Sequence, residues 1–316
     1  MAAGLSLLLT GCGPAPAPSS SAPEAPAAAA TNSAGESGTP VPPPPAATNP
    51  PVPSSTASGA AAPEAARPPW TLEALQAALK AKNPDYSGEG QFRLEGGRVT
   101  AADLSRMAIT DLSPLRGEPV RGLDLSLTPV SDLSPLAGMP LQELYLEQTR
   151  VTDLSPLKGM PLVTLYLSKT GVTDLSPLAG APLDTLNLLG TGVTDLRPLR
   201  GMPLRMLWLN ETPVADISPL RGCPLESITL HRTQVRDLSP LSGSGLQRLH
   251  IGETPVTDLT PIKGLRLTRL IFDPRRIQKG LDIARSMNTL TEMGLSFEER
   301  MPPARFWAMF PDLPKN

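Results

Sequence analysis

The phrase Asp-Leu-Ser-Pro-Leu begins at Asp111, Asp132, Asp153, Asp174, Asp195, Asp216, Asp237 and Asp258, a step of 21 residues each time. Arg197 replaces the Ser once, Ile217 replaces the Leu once, and Thr260 and Ile262 close the series. A second frame runs at the same period. From Leu141 it reads Leu-x-x-Leu-x-Leu-x-x-Thr, through Leu144, Leu146 and Thr149, and it recurs from Leu162, Leu183, Leu204, Leu225 and Leu246. A weaker copy starts at Val120, and degenerate end copies start at Val99 and Leu267. Such a chain has to fold as stacked coils, because one short unit cannot bury its own leucines and must pack them on its neighbours.

The spacing within one unit predicts its local structure. Leu144 and Leu146 alternate with Tyr145, the period of a short strand with leucine inward. Val151 turns inward after the loop. Asp153 stands where its carboxylate can accept backbone N–H bonds and close a tight turn. Leu154 and Leu157 are three apart, which puts both on one face of a 3₁₀ turn. Pro156 falls in the first turn, where a missing N–H costs little. Gly159 allows the chain to return, and Pro161 holds Met160 extended on the way to the next strand. The threonine column, Thr128 to Thr254 at every 21st residue, is expected to bond loop backbone from one unit to the next.

These units are the leucine-rich-repeat signature. They resemble the short bacterial repeats with a 3₁₀ convex side found in internalins, whose repeat is usually one residue longer. The resemblance is closer still to repeat modules attached to some bacterial serine/threonine protein kinases. It is carried by the lead-in KNPDYSGEGQF, the repeat DLSPLKGMPL and the exit KGLDIARSMNTLTEMG…MPPARFW, and covers about residues 70–310. It implies an α/β solenoid: a leucine-rich-repeat horseshoe with a parallel concave sheet, a 3₁₀ convex side, and helical N- and C-terminal caps. It also implies a surface for protein interaction, without naming a partner. No kinase domain is present.

Both ends read as caps. Residues 70–83 predict an amphipathic helix, with Thr71 as N-cap, Leu72, Leu75 and Leu79 on one face, and Asn83-Pro84 as the stop. Residues 91–100 add a hairpin or first strand. After Phe272 the repeat breaks. A helix is expected near Ile277 to Met287, a strand near Leu290 to Leu295, and a short helix from Pro303. Phe297, Phe306, Trp307 and Phe310 concentrate there and read as cover for the last leucine layer, or else as an aromatic docking site. The resulting division is 1–12, 13–68, 69–98 (N-terminal cap), 99–273 (repeats) and 274–316 (C-terminal cap).

The segment before the repeats is of another kind. Residues 1–12 read MAAGLSLLLTGC, and Leu5 to Leu9 are too few to span a bilayer. Leu9-Thr10-Gly11-Cys12 resembles the lipobox of bacterial lipoproteins, which implies a signal peptide ending at Cys12 and lipidation of that thiol. No Lys or Arg precedes the apolar run, a departure from the usual signal pattern. Residues 13–68 hold 15 Pro among Ala, Ser, Thr and Gly, with no aromatic residue. Such a composition cannot bury enough apolar surface to offset its ordering entropy, so it reads as a disordered tether with a coil reach of about 40 Å. The expectation is therefore a bacterial envelope protein whose membrane contact is the N-terminal lipid alone. Gly13 is not the Asp that retains many lipoproteins at the inner membrane, which favours the outer one.

Composition narrows the function classes. The net charge is −2, so no overall field recommends a nucleic acid. Cys12 and Cys223 are far apart and form no disulfide framework or zinc motif. Cys223 takes the slot of Met139, Met160 and Met202, and reads as a small buried residue. There is no phosphate-binding glycine loop, nucleophile elbow or metalloprotease helix, and the periodic Asp residues all serve the same turn. Neither enzyme activity nor a cofactor is expected.

The variable strand positions line the concave face. The middle column reads Asp103, Asp124, Tyr145, Tyr166, Asn187, Trp208, Thr229, His250, Ile271. The next reads Ser105, Ser126, Glu147, Ser168, Leu189, Asn210, His231, Gly252, Asp273. Aromatic residues are 3% of the chain, so their gathering here marks Tyr145, Tyr166, Trp208, His231 and His250 as candidate ligand-binding residues, although strands favour aromatics in any case. His231 and His250, about 8 Å apart on neighbouring strands, carry no metal-binding spacing. Three readings follow: a protein partner on the concave face, a carbohydrate or cell-wall ligand stacked on the aromatics, or a structural spacer without a specific ligand.

Overall fold

The computed structural model describes residues 69–313. The expected signal segment, Cys12 and the stretch 13–68 lie outside them. Helix α1 (Leu72–Lys82) opens the described chain, with Thr71 Oγ1 accepting the Ala74 N–H at 3.1 Å as N-cap. Leu75 and Leu79 are fully buried, but Leu72 is 46% exposed. The apolar face is thus narrower than the sequence predicts: Leu72 stands in the first turn, one turn short of the layer that Leu75 and Leu79 join.

Asn83 does more than stop the helix. Its Oδ1 accepts from the Thr110 and Asp111 N–H groups, and its Nδ2 donates to the Leu79 and Asp111 carbonyls. That one side chain joins α1 to the first repeat and satisfies backbone groups at the helix end. Glu118 does the same for the hairpin. It is fully buried, accepts from Trp70 Nε1 and the Val99 N–H, and pairs with Arg98 at 3.3 Å.

Twelve strands form one sheet in sequence order. β1 (Gln91–Glu95) and β2 (Arg98–Asp103) make the antiparallel hairpin. Nine strands of three residues follow in parallel: β3 (Gly122–Asp124), β4 (Glu143–Tyr145), β5 (Thr164–Tyr166), β6 (Thr185–Asn187), β7 (Met206–Trp208), β8 (Ser227–Thr229), β9 (Arg248–His250), β10 (Arg269–Ile271) and β11 (Glu292–Gly294). β12 (Arg300–Met301) closes the far edge antiparallel to β11. The register places Leu123, Leu144, Leu165, Leu186, Leu207, Ile228, Leu249 and Leu270 side by side in the core. This is the leucine-rich-repeat solenoid, with its concave parallel sheet.

The convex side is a file of 3₁₀ turns from Ser113–Leu115 to Thr260–Ile262, each with Pro in its first two positions. Asp153 Oδ1 accepts the Ser155 N–H at 2.8 Å, and the Ser155 hydroxyl donates to Oδ2 at 2.7 Å. Asp174, Asp216 and Asp237 repeat the arrangement. These bonds hold the turn carboxyls of Asp153, Asp174 and Asp216 below the usual carboxylate range.

The threonine column corrects an expectation. Its hydroxyls do not reach the next repeat. Thr149 Oγ1 donates to the Leu146 carbonyl at 2.8 Å, within its own coil, and Thr128, Thr170, Thr191, Thr212, Thr233 and Thr254 follow the same rule. The residue before each threonine explains this. Leu127, Gln148, Lys169, Gly190, Glu211, Arg232 and Glu253 all have positive φ, as does Arg106 at the matching position before Met107. The left-handed residue bends the chain back, so the threonine faces the carbonyl three positions behind it. The same bend lets the Gln148 N–H donate to the Ser168 carbonyl of the next coil. Link between coils is therefore made by backbone, and the hydroxyl only fixes the bend.

At the C-terminal end the expected helix near Ile277 is shorter. α2 spans Leu281–Ser286, preceded by a 3₁₀ turn at Pro274–Arg276. Residues 278–279 instead pair along the convex side: Gln278 N–H donates to the Thr257 carbonyl, and Leu259 N–H to that of Lys279. Gly280 then turns at φ +80°, where an added Cβ would meet Thr260 N at 2.8 Å. The final helix, α3 (Pro303–Ala308), carries Phe306 onto Phe272 at 5.8 Å. Trp307 and Phe310 join that cluster, and the Arg285 guanidinium lies 4.3 Å over the Trp307 ring. Phe272 and Phe306 are buried, so this group covers the end of the core.

The layered core separates two kinds of loss. Leu186→Ala, in the middle of the stack, opens a cavity and should cost roughly 2–5 kcal/mol. Thr191→Val removes one hydroxyl bond at nearly constant volume and should cost about 1 kcal/mol. Thermal melts of the two variants beside the parent check both the order and the gap.

Candidate functional site

Every second strand residue faces away from the leucine layer, so the concave face is three columns wide. The middle column is in register from Asp103 through Asp124, Tyr145, Tyr166, Asn187, Trp208, Thr229 and His250 to Ile271. At its start Asp103 and Asp124 are tied to their own turns through the Ser105 and Ser126 N–H groups. Burial raises the Asp124 carboxyl above its ordinary range.

The three large aromatics touch. Tyr145 and Tyr166 lie 5.1 Å apart between ring centroids at 38°, and Tyr166 and Trp208 lie 5.9 Å apart at 40°. Asn187 stands between the last two in register, but its Oδ1 accepts the Leu189 N–H at 3.0 Å. With that side chain folded onto its own backbone, Trp208 reaches across it to Tyr166. Tyr145 is only 9% exposed, while Tyr166 and Trp208 are half-buried. Burial, and then the Glu143 carboxylate, push the Tyr145 phenol well up; burial and Glu147 raise Tyr166. Both are neutral phenols under ordinary conditions.

The two histidines stack at 4.9 Å and 28°. His231 Nδ1 lies 3.1 Å from the Gly252 carbonyl, the geometry of an N–H donor, and its Nε2 is 3.9 Å from Glu253 Oε1. His250 is 6% exposed and neither ring nitrogen has a hydrogen-bond partner. Burial first, and His231 second, lower its pKa to about 4, so it is neutral near pH 7. Rings stacked face to face do not converge their nitrogens on a metal, and no group of three or more metal-ligating side chains occurs among the described residues. Gly252 permits the pair: a Cβ there would come within 2.9 Å of His250 Nε2 and 3.1 Å of His231 Nδ1.

Two recesses open beside this pair. One, of about 250 Å³, lies among Trp208, Thr229, His250, Ile271 and Phe297, with Arg248 and Arg269 in its wall. The other, of about 400 Å³, lies toward Asn210, Glu211, His231, Arg232 and Glu298. Arg232 spans the outer rim, 2.9 Å from Glu253 and 3.3 Å from Glu211. The third column, which contains Met206, Arg248 and Arg269, escapes a reading that follows aromatics alone; its signal is the same alternation that gives the other two. Phe297 has no such signal, because it lies beyond the last repeat. Cys223 is buried, with its thiol 4.0 Å from the Leu199 carbonyl and its pKa raised by burial, the surroundings of an inert thiol.

The fold has solved relatives. An internalin of Listeria monocytogenes, InlF, is 25% identical with a TM-score of 0.54, covering 70% of this chain and 73% of its own. Internalin C2 of the same organism is 23% identical with a TM-score of 0.54, covering 63% of this chain and 92% of its own. No family model matches the chain, and no curated protein matches it.

Burial of His250 is expected to make stability pH-dependent. In the unfolded chain His250 gains a proton near pH 6.5, whereas the folded protein resists until about pH 4. The unfolded state therefore binds more protons in that window, and stability falls as pH drops through it, by on the order of 3 kcal/mol. Melting temperature followed from pH 7 to pH 4.5 should decline, with a shallower decline for His250→Gln.

Proposed function

We propose that this chain is a protein-interaction module whose concave face docks a partner protein, held at the bacterial cell envelope by a lipid on Cys12 with the outer membrane favoured. The observation that carries it is the row Tyr145, Tyr166 and Trp208 in mutual contact on one open face. Large aromatics beside a polar rim are the usual anchors of protein interfaces. A solenoid offers its concave sheet as an extended binding surface. The domain division follows that reading: anchor at 1–12, tether at 13–68, caps at 69–98 and 274–316, and repeats at 99–273 between them.

Two observations weigh against a sugar ligand on these rings. Sugar stacking needs a free aromatic face, and the tilted contacts here give the faces of Tyr145 and Tyr166 partly to each other. Tyr145 is also largely buried. The spacer reading leaves the aromatic row without a purpose. Tyr166, Trp208 and His231 are accordingly the proposed contact residues, with the buried Tyr145 and His250 packed against them and fixing their placement, in binding and not in catalysis.

The intact chain used as bait in envelope extract should hold a protein that the Tyr145→Ala, Tyr166→Ala, Trp208→Ala triple variant retains at least tenfold less well. Circular dichroism of both baits checks the fold. Equal capture by both, or none by either, removes the concave face as the docking surface. For the anchor, the Cys12→Ser variant produced in a bacterial host should move from the membrane pellet to the soluble fraction, read by immunoblot. A pelleting variant would remove Cys12 lipidation.

A further inference from the structure

The recess between Trp208 and Phe297 combines three features. Its walls are apolar: Trp208, Ile271, Met206 and Phe297. Its floor holds buried polar groups with no partner, Thr229 Oγ1 and both nitrogens of His250. Ser126, Ser168 and Asn210 on the same face carry such groups as well, so the walls and the charge decide what this recess takes. Its side wall carries an unbalanced charge.

That charge follows from the register. Along the third column Ser227, Arg248, Arg269 and Glu292 stand on four adjacent strands. Arg248 and Arg269 are direct neighbours, an arrangement that like charges make unfavourable. Arg269 is neutralised by Glu292 on its other side, and Arg300 shares that carboxylate at 3.6 Å. Arg248 has serine on its other side, and its guanidinium has no ion-pair partner among the described residues. The lip opposite is held in place by cations: the Arg300 guanidinium lies 4.5 Å from the Phe297 ring centroid, and that of Arg269 lies 5.5 Å from it. Phe297 nevertheless remains 37% exposed. The carboxylates Glu211 and Glu298 lie in the other recess, beside Arg232.

We propose that this recess takes one aromatic side chain of the protein partner, between Trp208 and Phe297, with a neighbouring carboxylate of the same segment on Arg248. The inference rests on the protein-docking reading above and names the chemistry of its anchor. A volume of about 250 Å³ lies below the roughly 300–1,000 Å³ of sites that hold drug-sized molecules, so it suits a single side chain. Aromatic walls favour an aromatic guest by offset or edge contacts. A guanidinium without a partner favours a carboxylate, which it can bind through two parallel N–H bonds. The incoming acid also completes an alternation that the column itself leaves unfinished: Arg248 then has a carboxylate as Arg269 has Glu292.

The chain has only two histidines, so its imidazole NMR spectrum holds two sets of signals, and His250 lines the recess. N-acetyl-phenylalanine added to the intact chain should shift the His250 signals saturably. N-acetyl-phenylalanine amide, which lacks the carboxylate, should bind at least fivefold more weakly. Arg248→Gln should erase that difference while leaving the response to the amide. Trp208→Ala should abolish the response, and Phe297→Ala, at the exposed lip, serves the same purpose should Trp208→Ala not fold. No saturable shift overturns the proposal. Equal binding of acid and amide removes the role of Arg248, and tighter binding of N-acetylmuramic acid shows the recess to be a sugar site instead. A silent titration with protein capture intact sinks the recess alone. Capture lost with the titration intact sinks the protein-partner reading and leaves a site for aromatic acids.

Discussion

Registration of each coil on the next governs this molecule. The single coil from Leu141 to Met160 turns seven Leu, Val and Met side chains inward and has no way to cover them. Leu186 is buried because Leu165 and Leu207 flank it in register. The backbone bonds obey the same step. The Leu146 N–H donates to the Tyr166 carbonyl and the Gln148 N–H to that of Ser168, so the ladder runs past the three-residue strand into the turn. That extension requires a left-handed residue before each threonine, and it is adopted by Leu127 and Arg232 as well as by Gly190. Conformations of this kind cost on the order of 1 kcal/mol for a residue with a side chain. The coil-to-coil bond and the threonine hydroxyl beside it offset that cost at every step, which is why the bend survives substitution.

Much of this was legible from spacing alone, because a fixed period fixes the partners of each residue. The strand, the inward leucines, the Asp-closed 3₁₀ turn and the glycine return all follow from one unit. The left-handed column was not legible, since seven of its eight residues carry side chains and only Gly190 hints at it. The error over the threonine hydroxyls has the same root: without that bend, the carbonyl of the next coil looks as near as the one three residues back. Where the period ends, legibility ends as well. The helix expected from Ile277 gives way to backbone pairing between Lys279 and Leu259, a partner no local pattern reveals.

The candidate site was half legible for the same reason. Alternation places Tyr145, Tyr166, Trp208 and His250 on one face and aligns them from strand to strand. It cannot say that Tyr145 is nearly covered, that Asn187 folds away, or that the histidine rings stack, because these depend on rotamers chosen in three dimensions. Arg248 is placed by the same alternation two residues before His250. Its significance appears only beside Arg269 and Glu292, and Glu292 belongs to the aperiodic cap.

The recess beside Trp208 sits where the repeat hands over to that cap, and the physics of a solenoid favours such a location. Stability in a stacked array is nearly a sum of unit and interface contributions, so the uniform coils upstream supply it and departures can be tolerated locally. Coils around Leu165 and Leu186 present mostly small or aromatic residues. From β8 onward the concave columns turn to Arg248, Arg269, His231 and His250, with a buried imidazole left unpaired and a glycine, Gly252, reserved to make room for it. The histidine stack and the Arg269–Glu292 pair still join neighbouring coils, but Arg248 makes no such ion pair among the described residues. The cap then adds Phe297 from outside the repeat, and β12 ties the chain back so that the Arg300 guanidinium lies against that ring. Phe272 and Phe306 seal the end of the leucine core, and the segment after β11 carries Phe297 back over the concave face as a wall of the recess beside Trp208.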